Sequence, residues 1–287
     1  MLLIPASITS LQALPSSGTA PYAFSWSTGD TTQTIYASSS GSYSVTVGNG
    51  TPVSNSNSLS FDGQDDYVFI PDSPDLNFGA GDITYECWVK LPQTNHSMQA
   101  NIVTNYITNT TPLFGLYVGG TTEGFYEGRL GVHYRTNQAN SETNCISTFR
   151  IDDNLWHHVA AVKNSAKDSI YLYIDGVLNN REIVIIGDND TYQGIVISGN
   201  HLSRYLNSNI IQLSAWNRAL TQTEIRSHMS CPPTGNEASL VGYWNFNEGS
   251  GNTVTDLTSN GNNGTIYGAS WSNNTPNQIC DNCATID

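Results

Sequence analysis

The stretch NLWHHVAAVKN, residues 154–164, holds the only adjacent pair of histidines in the chain, and its reading decides the fold. Beside Trp156, the histidines His157 and His158 could bind a metal, serve as a catalytic base, or pack. The apolar residues that follow them predict a strand, in which successive side chains point to opposite faces. His157, Val159 and Ala161 then share one face, while Trp156, His158, Ala160 and Val162 share the other. Neighbouring strand histidines therefore point apart and cannot chelate one ion together. The other histidines, His96, His133, His201 and His228, are remote in sequence, and neither HxH nor HExxH occurs. The pair reads as strand packing.

Outward from this strand, from about residue 58, short segments of the same kind recur: SLSFDG, DYVFI, ITYECWVK, NIVTNYI, LFGLYVG, RLGVHYR, ISTFRI, SIYLYID, EIVIIG, IQLSAWN and VGYWNF. Each is followed within a few residues by Gly, Asn, Asp or Pro. Between SIYLYI and the residues after it, Asp175-Gly176 predicts a two-residue hairpin turn, because this pair tolerates the positive φ angles required. So many short strands without intervening helices predict an all-β chain, a two-sheet antiparallel jelly roll. One short helix interrupts it, within ALTQTEIRSHMS. Thr221 fits the N-cap and Glu224 the N3 position of a capping box, with Leu220 and Ile225 as the hydrophobic staple. Met229 continues the apolar face, and Cys231-Pro232-Pro233 ends the helix.

Residues 21–50, PYAFSWSTGDTTQTIYASSSGSYSVTVGNG, also alternate, and YAFSW and SYSVTV read as neighbouring strands. Thirty residues are too few for an independent β-sandwich, which takes about 100. SWSTG and GSYSVTV resemble phrases from the C-terminal half of immunoglobulin-like or PKD-like repeats of bacterial surface adhesins. That resemblance implies a truncated repeat over residues 1–50 and a longer modular protein upstream. Residues 51–57 read as a polar linker.

Composition narrows the partners. Ten basic against 24 acidic residues give a formal charge of −14. Phosphate backbones require clustered Lys and Arg, so nucleic acid is not an expected partner. No apolar run approaches the ~20 residues of a membrane helix, so membrane insertion is not expected either. The N-terminal MLLIPASITSLQALPSSG lacks a basic n-region and makes a poor signal peptide. Of the five cysteines, Cys231 and Cys280 bracket one segment, which suggests a disulfide in an exported protein. Cys87, mid-strand, reads as a buried free thiol, and CDNC at 280–283 is too isolated to indicate redox chemistry.

SLSFDGQDDYVFIPDSPDLN, ITYECWVK, LWHHVAAVKN, IYLYIDG, WNRALTQTEI and LVGYWNFNEGSG follow one another in the order seen in bacterial laminin-G-like domains. The chain resembles that family, within the concanavalin A-like lectin and glucanase superfamily, over about residues 57–275. The resemblance implies a jelly roll over residues 58–275, followed by a cysteine-bearing tail at 276–287. It also implies an extracellular location, frequent calcium, and glycan or protein ligands.

The superfamily includes glycosidases, which need two carboxyl groups ~5 Å apart when retaining. The E-x-D-x-x-E string of its laminarinase-type members is absent. The one acid-x-acid, Asp188-Asn189-Asp190, sits in a turn context, where Asp serves the backbone. No GxSxG, P-loop or GxGxxG occurs. Calcium takes 6–8 oxygen ligands, and FDGQDDY offers Asp62, Asp65 and Asp66 around a glycine. Asp62 and Asp66 are the preferred ligands. Relatives add acids from a late strand, where this chain has Ile211 and Gln212, a departure that weakens the expectation of calcium. For a glycan, Tyr106, Tyr117, His133 and Arg135 combine aromatic and polar groups; within VHYR, His133 and Arg135 share a face. Trp88, Trp156, Trp216 and Trp244 read as core. The expected role is non-catalytic binding of a glycan or a surface protein, with adhesion as the setting. A polysaccharide-active enzyme and a structural spacer are the rival readings.

Overall fold

The computed structural model describes residues 9–15, 22–26, 28, 30, 32–37, 42–53, 55–93, 98–105, 113–121, 126–136, 142–188, 193–199 and 204–281. The chain divides into two compact units: Met1–Ser54 with Arg226–Pro232 and Asn277–Asp287, and Asn55–Ile225 with Pro233–Pro276.

In the first unit, β1 (Thr9–Gln12) pairs with β3 (Thr34–Ala37), and β2 (Tyr22–Trp26) pairs antiparallel with β4 (Val45–Pro52). The strands read from YAFSW and SYSVTV are thus neighbours, and β4 runs on through Pro52. Phe24, Trp26, Ile35 and Ala13 form a small buried core. The strand Ile279–Asp281 pairs with the far end of β4, and Cys280 within it is disulfide-bonded to Cys231. Cys283 lies outside the described residues.

The second unit is a sandwich of two antiparallel sheets. Sheet I runs β11 (Thr143–Arg150), β10 (Arg129–Arg135), β9 (Leu113–Val118), β8 (Ala100–Thr104), β15 (Ile195–Ile197), β6 (Tyr67–Ile70), β19 (Gly264–Tyr267) and β18 (Thr253–Val254). Sheet II runs β14 (Val177–Ile183), β13 (Ser169–Ile174), β12 (Trp156–Asn164), β7 (Ile83–Lys90), β16 (Asn207–Trp216), β5 (Ser58–Asp62) and β20 (Ser270–Ser272), with β17 (Leu240–Trp244) also on β16. Alternate residues of each strand enter the core between the sheets: Leu59 and Phe61, Val68 and Ile70, Tyr85, Cys87 and Val89, Phe114 and Leu116, Val132 and Tyr134. Each fully buried large apolar side chain contributes roughly 1.5–3 kcal/mol. The architecture is the mostly-β jelly roll with one helix that the strand pattern predicts.

A second, smaller apolar cluster covers part of the opposite face of sheet II. Ala160, Val162, Tyr173, Trp216, Leu240 and Tyr243 pack there with Leu220, just before the helix Gln222–Ser230, and with Ile225 within it. The capping box is formed. Thr221 N–H donates to Glu224 Oε2 at 2.7 Å, and Glu224 N–H donates back to Thr221 Oγ1 at 3.3 Å. No helix among the described residues is long and apolar enough to cross a membrane.

The two histidines of β12 do face apart. His157 lies between two carboxylates, with Nδ1 2.8 Å from Asp175 and Nε2 3.2 Å from Asp153. His158, on the other face, is buried with its ring edge-on to Trp88. The hairpin turn is where Asp175-Gly176 places it, with φ of 50° and 70°. EIVIIG, however, is not a separate strand. The strand after the turn is VLNNREI, which ends at Ile183, because the hairpin register ties residues 177–183 to β13. Trp216 and Trp244 are fully buried as expected, whereas Trp88 and Trp156 are only partly so.

Candidate functional site

The outer face of sheet I carries one unbroken row of cross-strand partners. Asn144, His133, Gly115, Thr104, Val196, Phe69, Thr265 and Thr253 stand opposite one another across all eight strands. Thr104 and Val196 in the middle are buried, while Asn144 and Thr253 at the ends are exposed. Ligand-type chemistry gathers on the two flanks.

On the β9–β11 flank, sheet pairing brings together three of the sequence-derived residues. His133 and Arg135 alternate with the buried Val132 and Tyr134, so both project outward. The ring of Tyr117 stands edge-on to His133, with centroids 6.2 Å apart. It lies directly over Gly131, where a Cβ would collide with it. Tyr117 is buried and donates its hydroxyl to Asn144 Oδ1 at 3.2 Å, so it is a wall of the site rather than an exposed platform. Glu142 bridges the pair, 3.1 Å from His133 Nε2 and 3.6 Å from Arg135. Tyr106 lies outside the described residues.

Arg204, which sequence reasoning missed, joins this group. Its carbonyl accepts the backbone N–H of Asn101 on β8, and Asn101 pairs with Tyr117. Burial lowers the pKa of His133 from its ordinary value; Glu142 opposes that shift, and the charges of Arg135 and Arg204 reinforce it. In a chain of charge −14, the charges of two of the ten cationic side chains act on one imidazole.

On the β6–β19 flank, Tyr67 and Tyr267 are cross-strand partners with stacked rings, centroids 4.6 Å apart. Tyr205 tilts against Tyr67 at 6.4 Å. Tyr267 is 43% exposed. The arrangement is an aromatic platform of the kind that apolar ring faces of ligands stack on. Its signal in the sequence was period-2 alternation within DYVFI and GTIYG, which left Tyr67 and Tyr267 outward.

Beside the platform lies the FDGQDDY loop. Asp62, Asp65 and Asp66 each offer a carboxylate oxygen, all within 4.8 Å of one another. Asp66 is mostly buried and accepts the Asp62 N–H at 2.8 Å. Gly268 abuts its carboxylate so closely that a Cβ there would collide. The pKa of Asp66 is raised, first by burial and then by the charges of Asp62 and Asp65.

Ile211 and Gln212 do not adjoin this cluster. Asp62 pairs with Asn207, and Gln212 lies five residues further along β16, ~16 Å away at the rise of a strand. Gln212 is the αL residue of a bulge between Ile211 and Ser214, and it donates to Asn55 Oδ1 at 2.7 Å. Acids at these positions would not reach Asp62 or Asp66, so the departure from the relatives' pattern leaves that carboxylate cluster intact. Of the Asp188-Asn189-Asp190 turn, only Asp188 lies within the described residues.

Two packed antiparallel sheets define a jelly roll. Residues 62–226 match the laminin G family profile described as the concanavalin A-like lectin/glucanases superfamily, and the chain belongs to that family. No curated protein matches it. Among solved structures, it is similar to a Bacteroides ovatus protein described as a candidate carbohydrate-binding protein. That pair is 15% identical with a TM-score of 0.65, over 96% of this chain and 94% of that one. A heptameric pentraxin from Limulus polyphemus is 15% identical with a TM-score of 0.46, over 80% and 98% of the two chains. The CBM40 of a Ruminococcus gnavus sialidase, solved with α2,3-sialyllactose, is 12% identical with a TM-score of 0.41, over 62% and 95%. At these identities the likeness is one of fold.

Proposed function

We propose that the chain is a non-catalytic carbohydrate-binding module of an extracellular or surface-attached protein, with adhesion as its setting. The observation that carries this reading is the outer face of sheet I. A stacked tyrosine pair on one flank and an Arg–His–Glu cluster on the other are held on a rigid sheet, as a shallow saccharide site requires. The Bacteroides ovatus structure, described as a candidate carbohydrate binder, supports it. The Cys231–Cys280 disulfide supports a location outside the reducing cytosol. The paired strands β2 and β4 support a PKD-like repeat as the source of residues 1–50.

Calcium fits the donor set of Asp62, Asp65 and Asp66, three hard oxygen ligands around a turn. Bound there, the ion would offset the mutual repulsion of the three carboxylates and stiffen the loop leading into Tyr67.

A glycan array probed with the whole chain tests the proposal. Saccharide hits lost in Tyr267→Ala and in Arg135→Ala are expected. An array without hits, with and without calcium, sinks it. So does turnover of a bound polysaccharide, which would make the module an enzyme.

A further inference from the structure

We infer that the β9–β11 flank is a subsite for a carboxylated sugar, and that Glu142 holds the place of that sugar's acid group in the free protein. The inference rests on the carbohydrate-binding reading above and names the class of saccharide. Glu142 is half exposed, yet it reaches over the sheet face to His133 and Arg135. Both partners are largely covered, with side-chain exposures of 17% and 22%. A carboxylate from the loop edge therefore occupies the position that a ligand carboxylate would take from solvent.

Arg204 forms no ion pair among the described residues, although its charge acts on His133. Its Nε–H is buried without a hydrogen-bond acceptor among them. A buried guanidinium N–H left unsatisfied costs free energy that an incoming acceptor recovers. The exposed Asn144, held by the Tyr117 hydroxyl, lines the same place with an amide suited to sugar hydroxyls. The Arg204-Tyr205 segment also connects the two flanks, since Tyr205 packs against the tyrosine platform. A sugar chain lying across the strands would place its acid on the arginines and a ring face on the tyrosines. These flanks, β10 and β6, are separated by four strand spacings, ~19 Å.

The test is an array of oligosaccharides carrying galacturonate, guluronate, glucuronate or sialic acid, each beside its methyl ester, followed by calorimetry on the hits. At least tenfold weaker binding of the ester is expected, with the same loss for Arg204→Gln at unchanged melting temperature. Glu142→Gln should bind the acid severalfold more tightly, a gain that misfolding cannot produce. Equal affinity for acid and ester, or weaker binding by Glu142→Gln, overturns the inference while leaving the carbohydrate reading in place. An array without any saccharide hit removes both.

Discussion

Asp175 holds His157 and the strand that carries it with a single carboxylate. One oxygen lies 2.8 Å from His157 Nδ1, and the other accepts the His158 N–H at 3.0 Å. The carboxylate belongs to the hairpin turn after β13, and the Asp175 N–H donates back to the His158 carbonyl at 2.8 Å. Turn and strand are thereby stitched together, which gives the histidine a structural duty.

That duty depends on pH. Burial lowers the pKa of His157, but hydrogen bonds and charge from Asp175 and Asp153 outweigh it, and the net shift is upward. A raised folded pKa contributes stability that is complete below the unfolded value near 6.5 and fades as pH rises through the folded value. The melting-temperature advantage of the native protein over His157→Asn should therefore be larger at pH 5.5 than at pH 8.5. An advantage that grows with pH would refute the assignment.

Gly131→Ala tests the wall of the candidate site. The added methyl collides with the Tyr117 ring, which must swing away and release Asn144. Overpacking of this kind costs about 1–3 kcal/mol. Denaturant unfolding should register that loss, and saccharide binding should fall with it.

Tyr267→Ala should lower stability modestly as well as binding, because the ring, 43% exposed, stacks on Tyr67. An aromatic stacking contact is worth about 0.5–1.5 kcal/mol, and binding should weaken by roughly that amount. Titration calorimetry on one saccharide hit measures it.

Asp66→Asn should change sign with calcium. In chelator, burial and two neighbouring acids disfavour the charged form, so the amide should be neutral or mildly stabilising at pH 7. With millimolar calcium, the native protein should gain melting temperature and the variant should not. Identical responses of both proteins would exclude Asp66 as a ligand.

Cys231→Ser with Cys280→Ser removes a link across 49 residues. Chain entropy assigns such a loop about 4 kcal/mol. Faster amide exchange is expected in β2 and β4, because the Cys280 strand pairs with β4. Unchanged exchange there would show the bond to be dispensable to the first unit.

Local chemistry was legible in the sequence. The Thr221–Glu224 box, the Asp175-Gly176 turn and the opposed histidines each depend on residues a few positions apart. EIVIIG misled because an apolar run imitates a buried strand, while the true strand VLNNREI is polar and lies at a sheet edge, where alternation carries less signal. The candidate site was half legible. His133 and Arg135 share a strand face, and Tyr117 joins them by pairing of adjacent strands. Arg204 reaches them only through the backbone of Asn101, a hundred residues earlier, and no periodicity announces such a meeting. Tyr67 and Tyr267 are likewise joined only by the β6–β19 register. The bulge at Gln212 was invisible for the same reason, and only the β16 register shows that positions 211 and 212 stand away from Asp62.

The row from Asn144 to Thr253 exists only while all seven of its strand pairings keep their register. A one-residue slip in any strand would turn core residues such as Val132 or Phe114 outward and bring His133 or Gly115 inward. The apolar interior therefore acts as a proofreader for the opposite surface: a chain that mispairs loses its fold before it can display a corrupted recognition face.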